Sequence, residues 1–232
     1  MTAHLIHEPQ HLTQRTFSMA TLVEDNLYLA VKAVQERNED AAGQVINNDD
    51  AVDTAEIAVE EECLKLLALY QPVAIDLRFI VAVLKLNNDL ERIGDLAVNI
   101  AERALFLCRL APVPVPFDFD TMATKATRML KQSLDSLINK DVAAAVAVCA
   151  ADAEVDAINR GMYEQVKAAI REHPEHLDAL IHLLSVSRHL ERIADHTTNI
   201  AEDVIYLVEG RIARHTPEFP GTPPAAPGDT PS

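Results

Sequence analysis

LERIGDLAVNIAE, residues 90–102, returns one hundred residues later as LERIADHTTNIAE, residues 190–202. Nine of the thirteen positions are identical, and the four that change are Gly94, Leu96, Ala97 and Val98. Ile93, Ala97, Ile100 and Ala104 recur at the spacing of one helical face. A long helix is therefore expected in each half, and with it a duplicated chain. The polar residues Glu91, Asp95, Asn99 and Glu102 persist while apolar neighbours drift. Packing alone would favour the reverse.

Working outward, helical periodicity dominates both halves. It predicts helices over residues 11–37 and 40–70, the second irregular near Asn47 and Asn48. Pro72 suits the first turn of a third helix, which meets no further proline until Pro112 and would run to about 55 Å. The stretch APVPVPFDFD, with Pro112, Pro114 and Pro116 in alternation, reads as a stiff extended connector. Three more helices follow, over residues 118–139, 141–173 and 174–214. Residues 216–232 hold half of the prolines and are expected to be disordered. The order helix, helix, proline, long helix thus occurs twice. It predicts an all-α chain of two tandem, sequence-repeated three-helix bundles, residues 1–111 and 118–215, joined by 112–117 and followed by the tail.

The bulk composition agrees with helix: 49% of the 232 residues are hydrophobic, only 4% are aromatic, and Gly is scarce. A formal net charge of −16 argues against nucleic-acid binding, which needs clustered Lys and Arg. It suits cations or a basic partner surface, and equally a plain soluble protein. Cys63, Cys108 and Cys149 form no Cys-x-x-Cys pair and are expected as small core hydrophobes in a reducing compartment. The first residues carry no signal-peptide pattern, and no apolar run approaches the roughly 20 residues of a membrane span. A cytoplasmic location is expected.

On a helical wheel, with Glu91 at zero, Asp95, Asn99 and Glu102 fall within about 80°, whereas Ile93, Ala97, Ile100 and Ala104 cluster at roughly 180–240°. Glu191, Asp195, Asn199 and Glu202 repeat that outward stripe. Like charges at i and i+4 repel by a few tenths of a kcal/mol, and Arg92 and Arg192 sit about 100° away. The pairs ask for a cation. Partners are available on the second helix of each half: Asp49 and Asp53, extended by Glu56 and Glu60, and Asp152 and Asp156, extended by Asn159 and Tyr163. Antiparallel packing would bring two pairs together into an oxygen-rich site fitting Mg²⁺, Mn²⁺, Ca²⁺ or iron. His189 and His196 lie off this stripe and are expected at the core edge or surface.

Together with QPVAIDLR, residues 71–78, and LERIADHTTNIAEDVIYLVEGR, residues 190–211, the repeated motif resembles the PhoU family of phosphate-signalling regulators. The likeness covers residues 11–215. It implies two three-helix bundles and no catalytic turnover. It further implies negative regulation of phosphate uptake and of the phosphate-starvation response. The implied partners are the ATPase subunit of the phosphate ABC transporter and a sensor histidine kinase, met by a homodimer held at the membrane through them. Some members carry multinuclear clusters on these motifs. By position the ligands are Asp49, Asp53, Glu91 and Asp95 in one bundle and Asp152, Asp156, Glu191 and Asp195 in the other. Iron, zinc, manganese and magnesium all remain candidates. Glu56, Asn99, Glu102, Asn199, Glu202, Asp76 and Arg78 are candidate supplementary or partner contacts; Asp76 and Arg78 have no Asp-Leu-Arg counterpart in the second half.

Two other readings compete. One is a helical adaptor whose charged faces meet partners without metal. The other is a carboxylate-bridged di-metal enzyme, but such bundles draw on Glu-x-x-His motifs. The single instance, Glu8 to His11, precedes the first predicted helix.

Overall fold

The structure is a computed structural model that describes residues 4–211, with side chains from residue 10 onward. The proline-rich segment 216–232 lies outside the described residues. Six long helices follow one another: α1 (His4–Glu36), α2 (Glu39–Tyr70), α3 (Ala74–Arg109), α4 (Phe119–Asn139), α5 (Val142–Glu172) and α6 (Leu177–Glu209). A 3₁₀ turn, Pro174–His176, leads into α6. No strand occurs among the described residues.

The helix boundaries have local causes. Asn38, Asp118 and Asp141 cap α2, α4 and α5, their side chains accepting from the backbone N–H three residues on. Arg37 reaches across to donate to the carbonyls of Leu107 and Leu110, which satisfies the C-terminal end of α3. Gly210 ends α6 at φ 72°, a left-handed position, and the Arg78 side chain lies where a Cβ would project.

Several details differ from expectation, among them α6, expected over residues 174–214 and observed as Leu177–Glu209. α1 starts at His4, so Glu8 and His11 lie inside it rather than ahead of it, and Pro9 falls within its first two turns. Pro72 lies two residues before α3 instead of opening it, and Val73 takes the cap position. α2 runs unbroken through Asn47 and Asn48. There the Asn48 amide donates to Asn26 Oδ1 of α1 at 2.9 Å, so its side chain bonds a neighbouring helix rather than competing for its own backbone.

α3 and α6 pack antiparallel along the middle of the molecule. Lys85 meets Asp203 at one end of their contact and Phe106 stacks on His182 at the other. α1 and α2 flank α3, and α4 and α5 flank α6. One buried cluster runs through both halves, built on Leu90, Ile93 and Ile100 and their copies Leu190, Ile193 and Ile200. A second, smaller cluster of Leu12, Val59, Cys63, Leu66, Ile80 and Val83 closes the far end of the first half. Cys63 and Cys149 are buried as their composition suggests, whereas Cys108 is only half-buried.

Candidate functional site

Antiparallel packing of α2 on α3 sets the first carboxylate group. Val52 of α2 lies against Gly94 of α3, close enough that a Cβ there would sit 3.2 Å from Val52 Cγ1. Asn87 donates to the Glu56 carbonyl at 3.0 Å and faces Glu56 Oε1 at 3.4 Å. In that register Asp49 and Asp53 come beside Asp95 and Glu91. The electrostatics record the approach. Burial, then Asp53, Asp95 and Asp50, raise the Asp49 carboxyl above its usual range. Burial and Asp95, with Glu56 and Asp53 adding, do the same to Glu91. Glu56 is raised by burial, Glu60 and Asp53, which places it at the rim of the group.

α5 and α6 repeat the arrangement more deeply. Asp152 is pushed up to about 7 by burial and by Asp156, Asp195 and Glu191. Its Oδ1 is buried with no hydrogen-bond partner. Glu191 and Asp195 are raised as well, by burial first and then by their carboxylate neighbours. Glu202 stands beside Cys149, whose thiol burial, Glu202 and Asp152 push up to about 12.

The stripe is not a free outer face. Glu91, Asn99 and Glu102 are half-buried at the junction of α3 with its neighbours. Arg92 does reach the pair: its Nε lies 3.4 Å from Glu91 Oε2 and its Nη1 3.5 Å from Asp95 Oδ2. A long flexible stem carries the guanidinium across the angle that the wheel puts between them. Arg160 approaches Asp156 in the same way, at 3.5 Å.

The supplementary residues scatter. Asn99 donates to the Asp95 carbonyl, and Glu102 pairs with Arg103 at 3.2 Å. Asn199 leaves the carboxylate group and donates to Asp89 Oδ1 of α3 at 3.3 Å. Asp76 is exposed beside an apolar groove that Tyr70, Phe79 and Val208 help to line. Arg78 packs on Gly210 with its Nε buried and unpartnered. No ion pair joins Asp76 or Arg78 to another described residue.

Sequence reasoning missed the polar seam between α3 and α6. Asp89, 5% exposed, lies 2.8 Å from His196 Nδ1, which puts His196 at the core edge, in the α3–α6 interface. His189 Nε2 lies 3.3 Å from Ser185 Oγ, and its Nδ1 is buried without a partner. A second miss is at the turn before α6. Among the described residues, His173, Glu175 and His176 form the one group of three whose ligand atoms all lie within 4.8 Å of one another. No three residues of either carboxylate group come that close.

The donor chemistry nonetheless fits a cation. Carboxylates that raise one another's pKa, one of them with a buried oxygen lacking any donor, are what an oxygen-loving divalent ion would satisfy. No helix among the described residues is long and apolar enough to cross a membrane.

Comparison with known proteins covers the same ground. The PhoU domain matches residues 17–104 and again 119–204, one copy per half. The chain is 37% identical over 211 residues to a phosphate-specific transport system accessory protein PhoU homolog of Aquifex aeolicus, covering 91% of this chain and 96% of the relative. It is 34% identical over 215 residues to the homolog of Caulobacter vibrioides, covering 90% and 94%. The crystal structure of PhoU from Pseudomonas aeruginosa superposes with a TM-score of 0.86 at 33% identity, over 88% of this chain and 99% of that one. The phosphate transport system regulatory protein PhoU from Streptococcus pneumoniae gives 0.79 at 27%, over 88% and 96%. Two matched domains, one in each bundle, and relatives aligned along nearly their whole length place this chain in the PhoU family.

Proposed function

We propose that the chain is a non-catalytic negative regulator of phosphate uptake and of the phosphate-starvation response. It acts in the cytoplasm at the inner face of the membrane, as a homodimer. There it couples the ATPase subunit of the phosphate ABC transporter to a sensor histidine kinase through protein contacts. The observation that carries this reading is the match of both halves to the PhoU domain, over nearly the full length of relatives named as phosphate-transport accessory proteins.

Metal is part of the proposal. Asp49, Asp53, Glu91 and Asp95 would hold one site, and Asp152, Asp156, Glu191 and Asp195 the other. A bound divalent cation or small cluster of iron, zinc, manganese or magnesium supplies positive charge where four carboxylates otherwise repel. The chain's own contribution is to fix the two helices of each pair in register, through Val52 on Gly94 and the Asn87–Glu56 bond in the first bundle. A metal-free adaptor is the second reading, favoured at the first site by Arg92, whose guanidinium lies within ion-pair distance of both Glu91 and Asp95.

Deleting the gene and following phosphate-responsive expression in high phosphate tests the regulatory claim. Loss of repression is expected, and intact repression with no second copy to compensate overturns it. Metal content of untagged protein purified without chelator, compared with Asp95→Ala/Asp195→Ala, separates the two readings.

A further inference from the structure

The turn between α5 and α6 reads His173-Pro174-Glu175-His176, and the corresponding turn of the first half, Gln71-Pro72-Val73-Ala74, offers no imidazole or carboxylate. Backbone bonds hold the turn: the His173 N–H donates to the Ala169 carbonyl at 2.8 Å, and the His176 N–H to the His173 carbonyl at 3.0 Å. Pro174 fixes φ at its centre. The three side chains converge on one another rather than on the rest of the fold. His173 Nδ1 lies 3.1 Å from Glu175 Oε1, His176 Nε2 lies 4.0 Å from the same oxygen, and the two rings stack with centroids 5.1 Å apart.

We propose that His173, Glu175 and His176 form a transition-metal site, chemically distinct from the carboxylate groups, for a borderline divalent cation of the zinc type. Two imidazoles and one carboxylate are a ligand set for Zn²⁺ and its neighbours, and a poor one for Mg²⁺ or Ca²⁺. With metal–ligand bonds of about 2.1 Å, ligand atoms around a tetrahedral ion stand about 3.4 Å apart. The His173–Glu175 pair is already that close, and Glu175 to His176 must close by roughly 0.6 Å on the same geometry. The stacked rings must turn about their Cβ–Cγ bonds to aim both nitrogens at one point. His173 and Glu175 are exposed, and His176 is half-buried, so solvent-side rotation meets little resistance. Three protein ligands leave the remaining coordination position to water or to a donor from another molecule. The site does not depend on the regulatory reading or on the carboxylate groups being loaded.

Titration of the chelator-stripped full chain with Zn²⁺ by calorimetry, in millimolar Mg²⁺ to occupy hard-ion sites, tests the proposal. The wild type should bind one more equivalent than His173→Ala/His176→Ala, and Glu175→Gln should weaken that equivalent about tenfold. The histidines elsewhere in the chain are common to all variants and cancel in the difference. Cu²⁺ added at one equivalent should show coordinated imidazole nitrogen by electron paramagnetic resonance, lost in the double variant. The same difference should persist when both proteins also carry Asp195→Asn. Equal stoichiometry and affinity in wild type and double variant would overturn the site, as would loss of their difference when both carry Asp195→Asn.

Discussion

Asp152→Asn should stabilise the metal-free protein at pH 8 and leave it unchanged at pH 4. The Asp152 carboxyl is raised from 3.8 to about 7 by burial and by Asp156, Asp195 and Glu191. A carboxyl raised on folding binds its proton more tightly in the folded chain, so unfolding releases that proton between those two values. The contribution of this group is therefore fully present below pH 4 and is lost as pH climbs from about 4 to 7. Unscreened, the displacement corresponds to about 4 kcal/mol. Asp152 is half-buried, and solvent screening brings the expected effect to roughly 2 kcal/mol. For a chain of this length that is about 4–8 °C in melting temperature. The assay is thermal unfolding by circular dichroism in excess chelator, at pH 4, 6 and 8, with wild type and variant side by side. Saturating divalent cation should reverse the order, since a ligand held a hundredfold above its Kd adds about 2.7 kcal/mol to a chain that binds it. Equal melting temperatures at pH 8, or a variant destabilised equally at every pH, would refute the reasoning.

Other substitutions probe the seam and the caps. Asp89→Ala leaves His196 and Asn199 without their acceptor between α3 and α6, and should cost about 2–3 kcal/mol by urea unfolding. Asp89→Asn keeps an acceptor and should cost less than half of that. Lys85→Met takes the ammonium away from the Asp203 carboxylate, 6% exposed, and should destabilise by about 2 kcal/mol at pH 7 and by far less at pH 3. Gly210→Ala forces a Cβ onto the Arg78 guanidinium at φ 72° and should lower the melting temperature by a few degrees, an effect of about 1 kcal/mol. Arg92→Ala should tighten divalent-cation binding at the first carboxylate group several-fold, measured by calorimetry, because a competing cation has left Glu91 and Asp95.

The repeat and its spacing were enough to read six helices and the pairing of acidic residues across α2–α3 and α5–α6, since both follow from helical periodicity and a short antiparallel turn. What the wheel could not supply was the number of neighbours. It orients each residue relative to its own helix axis and says nothing of how many helices crowd around that axis. α3 touches α1, α2 and α6, which leaves it little solvent face. The stripe opposite Ile93 and Ile100 thus became a junction, and Asn199 turned to Asp89 rather than to a ligand. The Asn47–Asn48 pair misled for a related reason. Its partner Asn26 lies in α1, twenty-two positions away, beyond the reach of any local propensity. The His173–Glu175–His176 group carried a signal in four consecutive residues, but a search for i, i+4 pairs on helix faces passes over a turn.

The seam also explains why two copies of one unit stay together as a pair of unlike halves. A repeat of one hundred residues, packed antiparallel with Lys85 on Asp203 and Phe106 on His182, sets Gly94 opposite Ala194 at an internal two-fold axis. Each seam residue then has a mate on the other side of the axis: Asp89 and His189, Leu96 and His196, Lys85 and Ser185, Arg103 and Asp203. In a dimer of identical units both sides would carry the same residues. Within one chain each side can change alone, and here they have changed unequally. Asp89 finds His196 and Asn199 on one side, while Arg103 lies over Phe106 near His182 on the other. Pairing α3 with another α3 would set Asp89 against Leu96 in place of His196, with Asn99 standing where Asn199 donates. Pairing α6 with α6 would place His189 beside His196 and strand Asp203 away from Lys85. The α3–α6 pairing sets an imidazole beside Asp89 and an ammonium beside Asp203. The seam therefore favours α3–α6 pairing over the pairing of like helices.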